Sequence, residues 1–184
     1  MIYFTSDTHF FHKNIIDYCN RPFSDVDDMT ERLIDNWNAY VTPDDVIFHL
    51  GDFAFARPEL AVDVLTRLNG QKYLIRGNHD HRLVKDPMFR HQWVDIYDYY
   101  VLKHEHRKFV LMHFPLMSWE NMQHGSIHLH GHSHGNLAYF GEPIRRYDVG
   151  VDALGRYYPM SIDGIVERSY TINNFLRPDT SEKQ

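Results

Sequence analysis

Short apolar runs recur along the chain, and several end on polar residues able to bind metal or move protons. Ile2 to Thr5, Val46 to Leu50 and Tyr73 to Ile75 read as strands, the second after the turn signal Pro43-Asp44-Asp45 and the third after Asn69-Gly70. Phe109 to Met112, Ile127 to Leu129 and Tyr147 to Val151 read as later strands. Between the early strands, Met29, Leu33, Ile34 and Trp37 recur at helical spacing, with Asp28 and Thr30 as candidate caps. Leu60, Val64, Leu65 and Leu68 do the same after Pro58, a residue suited to a first helical turn. Strand and helix alternating in this way predict parallel α/β pairing. The second half, richer in strands and turns, predicts mixed pairing. The expected fold class is therefore α/β: a layered α/β/β/α sandwich of two mixed sheets flanked by helices. Residues 1–176 read as one domain and 177–184 as a polar C-terminal tail. Phe10 to Phe23 and Phe114 to Ser126 read as loops at the rim of a site.

Composition narrows the class. With 184 residues, 43% hydrophobic and 24% charged, the chain is long and apolar enough to bury a core. Its formal net charge of -6 gives no broad basic footprint, so nucleic acid is not indicated as a partner. A small anionic substrate stays open, because bound divalent ions add positive charge that a residue count omits. The single cysteine, Cys19, cannot form an internal disulfide. No apolar run approaches the ~20 residues that cross a bilayer, and Met1 to Ser6 lacks a signal-peptide pattern. A cytoplasmic protein with no membrane partner is expected. The unusual count is 14 histidines, of which His124, His128, His130, His132 and His134 crowd one segment.

The residues just beyond the apolar runs carry the chemistry. Ser6-Asp7-Thr8-His9 follows the first, Gly51-Asp52 the second and Arg76-Gly77-Asn78-His79-Asp80 the third. His113 follows Phe109 to Met112, and His130-Gly131-His132-Ser133-His134 follows Ile127 to Leu129. Each alone has a plain structural reading: an Asp after a strand caps a turn, and Gly-Asp or Gly-Asn makes one. Together they fall where open α/β sheets gather ligands, beyond the carboxyl ends of strands. Carboxylate, amide and imidazole donors in one set suit manganese, iron or zinc better than an all-oxygen calcium site.

The set Asp7-Thr8-His9, Gly51-Asp52, Gly77-Asn78-His79-Asp80, His113 and Gly131-His132-Ser133-His134 resembles the calcineurin-like metallophosphoesterase family. Phe4 to Ile16 with Arg21-Pro22-Phe23 is similar to its small bacterial and phage-type branch. The resemblance implies two divalent ions, most simply Mn2+, Fe2+ or Zn2+. Asp7, His9 and His134 bind one, Asn78, His113 and His132 bind the other, and Asp52 bridges them through its two oxygens. It further implies attack on a phosphoester by a bridging hydroxide, with His79 as the catalytic histidine that contacts phosphate and protonates the leaving oxygen. One position departs from the pattern. Many members carry an acid three residues after the bridging Asp, where it orients the catalytic histidine, and this chain has Phe55 there. Asp80 is adjacent to His79 but also suits a helix cap.

Other residues stay open at this level. His12, Asn14 and Arg21 are candidate substrate contacts, though His12 and Asn14 equally suit a helix start. Arg145 and Arg146 suit substrate oxygens or solvent. Trp119 suits stacking or the core. His49, His91, His104, His106 and His124 match no motif position and read as surface or packing residues, while His128 and His130 share a strand face. The expected activity is hydrolysis of a small-molecule phosphoester, with a diester favoured over a monoester. An inactive binding scaffold of the same fold would show damaged ligand positions, and none is damaged here.

Overall fold

The computed structural model describes residues 1–137 and 145–176. The expected tail at 177–184 lies outside the described residues. In chain order the elements are β1 (Ile2–Thr5), α1 (Lys13–Tyr18), α2 (Val26–Tyr40), β2 (Val46–His49), α3 (Pro58–Arg67), β3 (Gln71–Ile75), α4 (Pro87–His91) and β4 (Asp95–Tyr97). There follow β5 (Tyr100–His104), β6 (Arg107–Leu111), β7 (Ile127–His130), β8 (Arg146–Asp148), β9 (Met160–Ser161) and α5 (Ile162–Leu176).

Two mixed sheets result. The first has the order β4-β3-β2-β1-β9, with β1 to β4 parallel and β9 antiparallel at its edge. The second has the order β5-β6-β7-β8, antiparallel between β5 and β6 and parallel beyond. Alternation along the strands explains the layering. Tyr3, Ile47 and Leu74 face a core built with α2, α3 and α4. Phe4, Phe48 and Ile75 face a second core, shared with Phe109, Leu111, Ile127 and Leu129 of the other sheet and with Ile162 and Ile165 of α5. A sheet covered on both faces reads as an unbroken apolar run, which is why β1 to β3 stand out in the sequence. The fold is the expected one, two mixed sheets flanked by helices.

Local expectations shift in three places. The cap of α2 is Asp25, whose carboxylate accepts from the N–H groups of Asp27 and Asp28, not Asp28 or Thr30. The segment Phe10 to Phe23 is not all loop, since it contains α1. The run Tyr147 to Val151 is strand only through Asp148. Its last residues continue as an isolated bridge between Gly150 and Ser6, and Val149 and Val151 stay apolar because they enter different cores. Pro58 does occupy the first turn of α3. Among the described residues, no helix is long and apolar enough to cross a membrane.

Candidate functional site

Every motif leaves its strand at the carboxyl end, and the loops interlock there. Asp7 N–H donates to Gly51 O at 3.0 Å, His9 N–H to Asp52 O at 3.1 Å and Gly131 N–H to His113 O at 2.9 Å. The turns are sharp. Asp7, His9, Asp52, His132 and His134 have φ of 56°, 49°, 57°, 68° and 46°, a left-handed region that non-glycine residues enter at a cost. Five of the residues singled out as ligands are thus held in strained backbone, where the surrounding bonds fix their direction. Glycine permits the close approach: a Cβ on Gly77 would collide with Asp52 Oδ1, and one on Gly131 with Ser6 Oγ and Asp7 Oδ2.

The loops bring the ligand set together as two triplets. In Asp7, His9 and His134, one donor atom from each lies within 4.8 Å of the others, and Asp52, His113 and His132 do the same. Asn78 Oδ1 is 3.0 Å from His113 Nε2. Asp52 lies between the triplets: its Oδ2 is 3.8 Å from His9 Nε2 and 3.4 Å from His113 Nε2. Its Oδ1 accepts from His79 N–H at 2.8 Å. Of its two oxygens, Oδ2 is the one that faces an imidazole of each triplet, while Oδ1 is engaged by the His79 amide.

The donor set fits cations. His113 Nδ1 is 2.7 Å from Leu50 O and must donate to it, so in the neutral ring Nε2 carries a lone pair. That lone pair meets two acceptors, Asn78 Oδ1 and Asp52 Oδ2. A positive centre has to sit among them, as a proton or a metal ion. The proton alternative shows in the electrostatics: burial lowers His113, but the hydrogen bond and charge of Asp52, with Asp7, lift it to about 9. Burial also acts against Asp52, yet His113, the His79 amide and His9 outweigh it and hold the carboxylate below its usual range. In the other triplet, burial pushes the Asp7 carboxyl up to about 7 despite the nearby His113 and His134. His9 is held well below its usual range, chiefly by burial, and both its ring nitrogens are buried with no hydrogen-bond partner among the described residues. Buried nitrogens without partners are costly unless a ligand takes the lone pair.

Three supports hold this arrangement. Asp80 is fully buried and accepts from the N–H groups of Gly77, Asp52 and Phe53 at 2.8, 2.9 and 2.9 Å. It staples two ligand loops rather than capping a helix. His49, buried, accepts from Gly51 N–H at 3.2 Å and meets Thr8 Oγ1 at 2.9 Å, while Thr8 Oγ1 donates to Phe53 O. Arg21 is 4% exposed, and its guanidinium grips both oxygens of Asp152, at 2.8 and 2.7 Å, and the carbonyls of Asp7 and Thr8. Asp152 in turn accepts from His134 Nδ1 at 2.7 Å, which leaves Nε2 facing Asp7. Burial lowers His134, but this bond and the nearby carboxylates raise it overall. Asp80 stands in a motif that does not show this role, and Asp152 carries no mark in the sequence, because most of their partners lie far along the chain.

Arg21 is thus a strut under the first loop with its donors engaged inside the protein, which corrects its expected place as a substrate contact. Replacing Asp152 by Asn should weaken metal retention and lower kcat/KM by ~10–100-fold, the usual effect of losing a carboxylate behind a ligating histidine. Unchanged values in a metal titration and in steady-state rates would remove that role. Cys19 Sγ lies 3.5 Å from His134 Nδ1, and burial pushes the thiol up to about 11.

The remaining candidates separate clearly. His12 lies beside the centre, its ring 5.3 Å from that of His9, and its side chain does not cap α1. Asn14 is exposed on α1 and makes no cap bond either. His79 is partly exposed, with Nε2 4.0 Å from Asp52 Oδ2. No carboxylate hydrogen-bonds its ring among the described residues; the rings of His9 and Phe55 flank it edge-on at 5.6 and 6.0 Å. Trp119 is buried and donates to Ser126 Oγ at 3.0 Å. His128 lies inside the second sheet between Val110 O and Leu116 N–H.

A family model of calcineurin-like phosphoesterases matches residues 1–157. An uncharacterized protein of Methanocaldococcus jannaschii is 38% identical over 172 residues, spanning 90% of this chain and 89% of that one. The Gene 66 protein of Mycobacterium phage L5 is 29% identical, spanning 84% of this chain and 87% of its own. Among solved structures, a protein of unknown function from Aquifex aeolicus superposes with a TM-score of 0.70 at 25% identity, covering 91% of this chain and 98% of that one. With that match over most of its length and the motifs converged at one rim, the chain belongs to the calcineurin-like phosphoesterase family and is a metal-dependent phosphoric ester hydrolase.

Proposed function

We propose that the chain hydrolyses a small phosphodiester at a dinuclear centre, with Asp7, His9 and His134 on one ion, Asn78, His113 and His132 on the other, and Asp52 between them. The observation that carries this reading is the position of Asp52 Oδ2 between two buried imidazole Nε2 atoms, one from each triplet. Manganese, iron or zinc suits the mixed oxygen and nitrogen donors, with manganese the first to test. When bound, two such ions supply Lewis acidity and lower the pKa of water. The chain's own residues supply position and proton transfer. Asp52 Oδ1 fixes the His79 backbone, and the rings of Phe55 and His9 limit where the imidazole of His79 can turn. As the new bond from water oxygen to phosphorus forms, the bond to the leaving oxygen breaks and that oxygen takes a proton from His79. Such general-acid help is worth ~10²–10⁴ in rate.

A diester is favoured by charge. A monoester brings a second negative charge to the centre itself, and Arg21, the guanidinium directly beneath the first ligand loop, is wholly engaged inside the protein and does not meet it. The unpaired thiol of Cys19 suits a reducing compartment, and we infer the cytoplasm. In manganese buffer, kcat/KM for bis-p-nitrophenyl phosphate should exceed that for p-nitrophenyl phosphate by roughly tenfold or more, a difference in transition-state binding. The reverse order would make the protein a phosphomonoesterase.

A further inference from the structure

One residue that departs from the family pattern opens onto a cavity. Phe55 is 56% exposed, unusual for a large aromatic beside a buried centre. One side of its ring stacks on His12, with centroids 4.7 Å apart and planes 25° apart. That contact sets the ring's orientation and leaves much of it to solvent. Beside it lies a cavity of about 600 Å³, lined in part by Phe55, Arg57, His79 and Arg82. The volume is within the ~300–1,000 Å³ range of small-molecule sites. None of its lining residues is acidic, and its two charged residues are both arginines, in a chain of formal net charge -6. Among the described residues, neither guanidinium makes a hydrogen bond or ion pair.

The position of the cavity gives it a role. His79 is part of its wall and also faces Asp52 Oδ2, so it stands where the metal centre and the cavity meet. A group leaving phosphorus with a proton from His79 departs on this side. An exposed aromatic face next to free guanidinium groups matches a ligand with a flat ring and an anionic group.

We propose that this cavity is the leaving-group subsite and that it takes a nucleotide, with the base on Phe55 and a second phosphate on Arg57 and Arg82. The proposal rests on the phosphodiester reading and names the substrate class within it. The acid that many family members place at position 55 would repel such a group; phenylalanine there removes that charge and offers a stacking platform.

Binding tests this without turnover. The manganese-loaded protein is titrated calorimetrically with adenosine 3′,5′-bisphosphate and, separately, with inorganic phosphate. The ratio of the two dissociation constants is then compared within wild type, Phe55→Ala and the double variant Arg57→Gln/Arg82→Gln. Wild type should favour the bisphosphate by on the order of tenfold or more, and the ratio should fall toward one in both variants. A wild-type ratio near one, or a ratio kept in either variant, overturns the proposal. All three side chains are exposed, so folding is not at stake, and circular dichroism verifies it. Failure of the diester reading shows separately, as loss of the preference for bis-p-nitrophenyl phosphate in wild type.

Discussion

Asp52→Asn should leave a folded protein that retains neither metal firmly and loses diester hydrolysis by on the order of 10³-fold or more. The change is nearly isosteric. Asn keeps an oxygen for the His79 N–H, which reaches Oδ1 at 2.8 Å, so the loop need not move. What changes is the other atom. Oδ2 faces the Nε2 atoms of both His9 and His113, and an amide there removes the one negative charge common to the two triplets. Losing a ligand of one ion would leave the other in place. Losing the shared carboxylate should release both, so metal content by elemental analysis is the decisive reading, with kcat/KM beside it. Two tightly held ions and wild-type rates in this variant would remove the bridging role and with it the dinuclear proposal.

Much of this candidate site was legible because the physics that makes the strands visible also places the candidate ligands. Parallel strands buried on both faces are continuous apolar runs, and a site at their carboxyl ends is written immediately after each run. Asp7, Asp52, Asn78, His113, His132 and His134 were readable in that way. The left-handed backbone at four of these residues, and at His9, was not, since nothing in Asp-Thr-His alone demands φ near 50°. It is imposed by bonds such as Asp7 N–H to Gly51 O, which join loops far apart in sequence. The same distance hid Asp152, which orients His134, and turned Arg21 from an apparent substrate contact into a strut. Two C-terminal elements were also missed: β9 has two residues, and α5 begins at the next position with no turn between them to mark a start. The period available there, Ile162, Ile165, Val166 and Ser169, is helical but brief.

Asp80 is the clearest case of a residue whose neighbours in sequence mislead, and its replacement should have the largest effect on stability. Beside His79 it looks like a helix cap or a partner for the catalytic ring. In the folded chain its carboxylate is buried and accepts three backbone N–H bonds, from Gly77 within its own loop and from Asp52 and Phe53 in the next. Burial raises its pKa, against the pull of these amides in the other direction. Asp80→Ala removes the acceptor from all three. A buried donor left unsatisfied costs ~1–3 kcal/mol, so a loss of roughly 3–6 kcal/mol is expected once some water enters the gap. That is a large part of the ~5–15 kcal/mol of a typical domain. Asp86 supplies an internal control. It caps α4 by accepting from Met88 and Phe89 N–H, but at a partly exposed position where water can replace it, and Asp86→Ala should cost only ~1 kcal/mol. Urea unfolding of both variants measures the difference directly. Equal, small shifts in midpoint would mean that Asp80 is an ordinary cap. A shift several times larger for Asp80→Ala, with weaker metal binding in the same protein, would mean that the loops holding Asp52 and Asn78 are kept in place by a carboxylate that touches neither metal nor substrate.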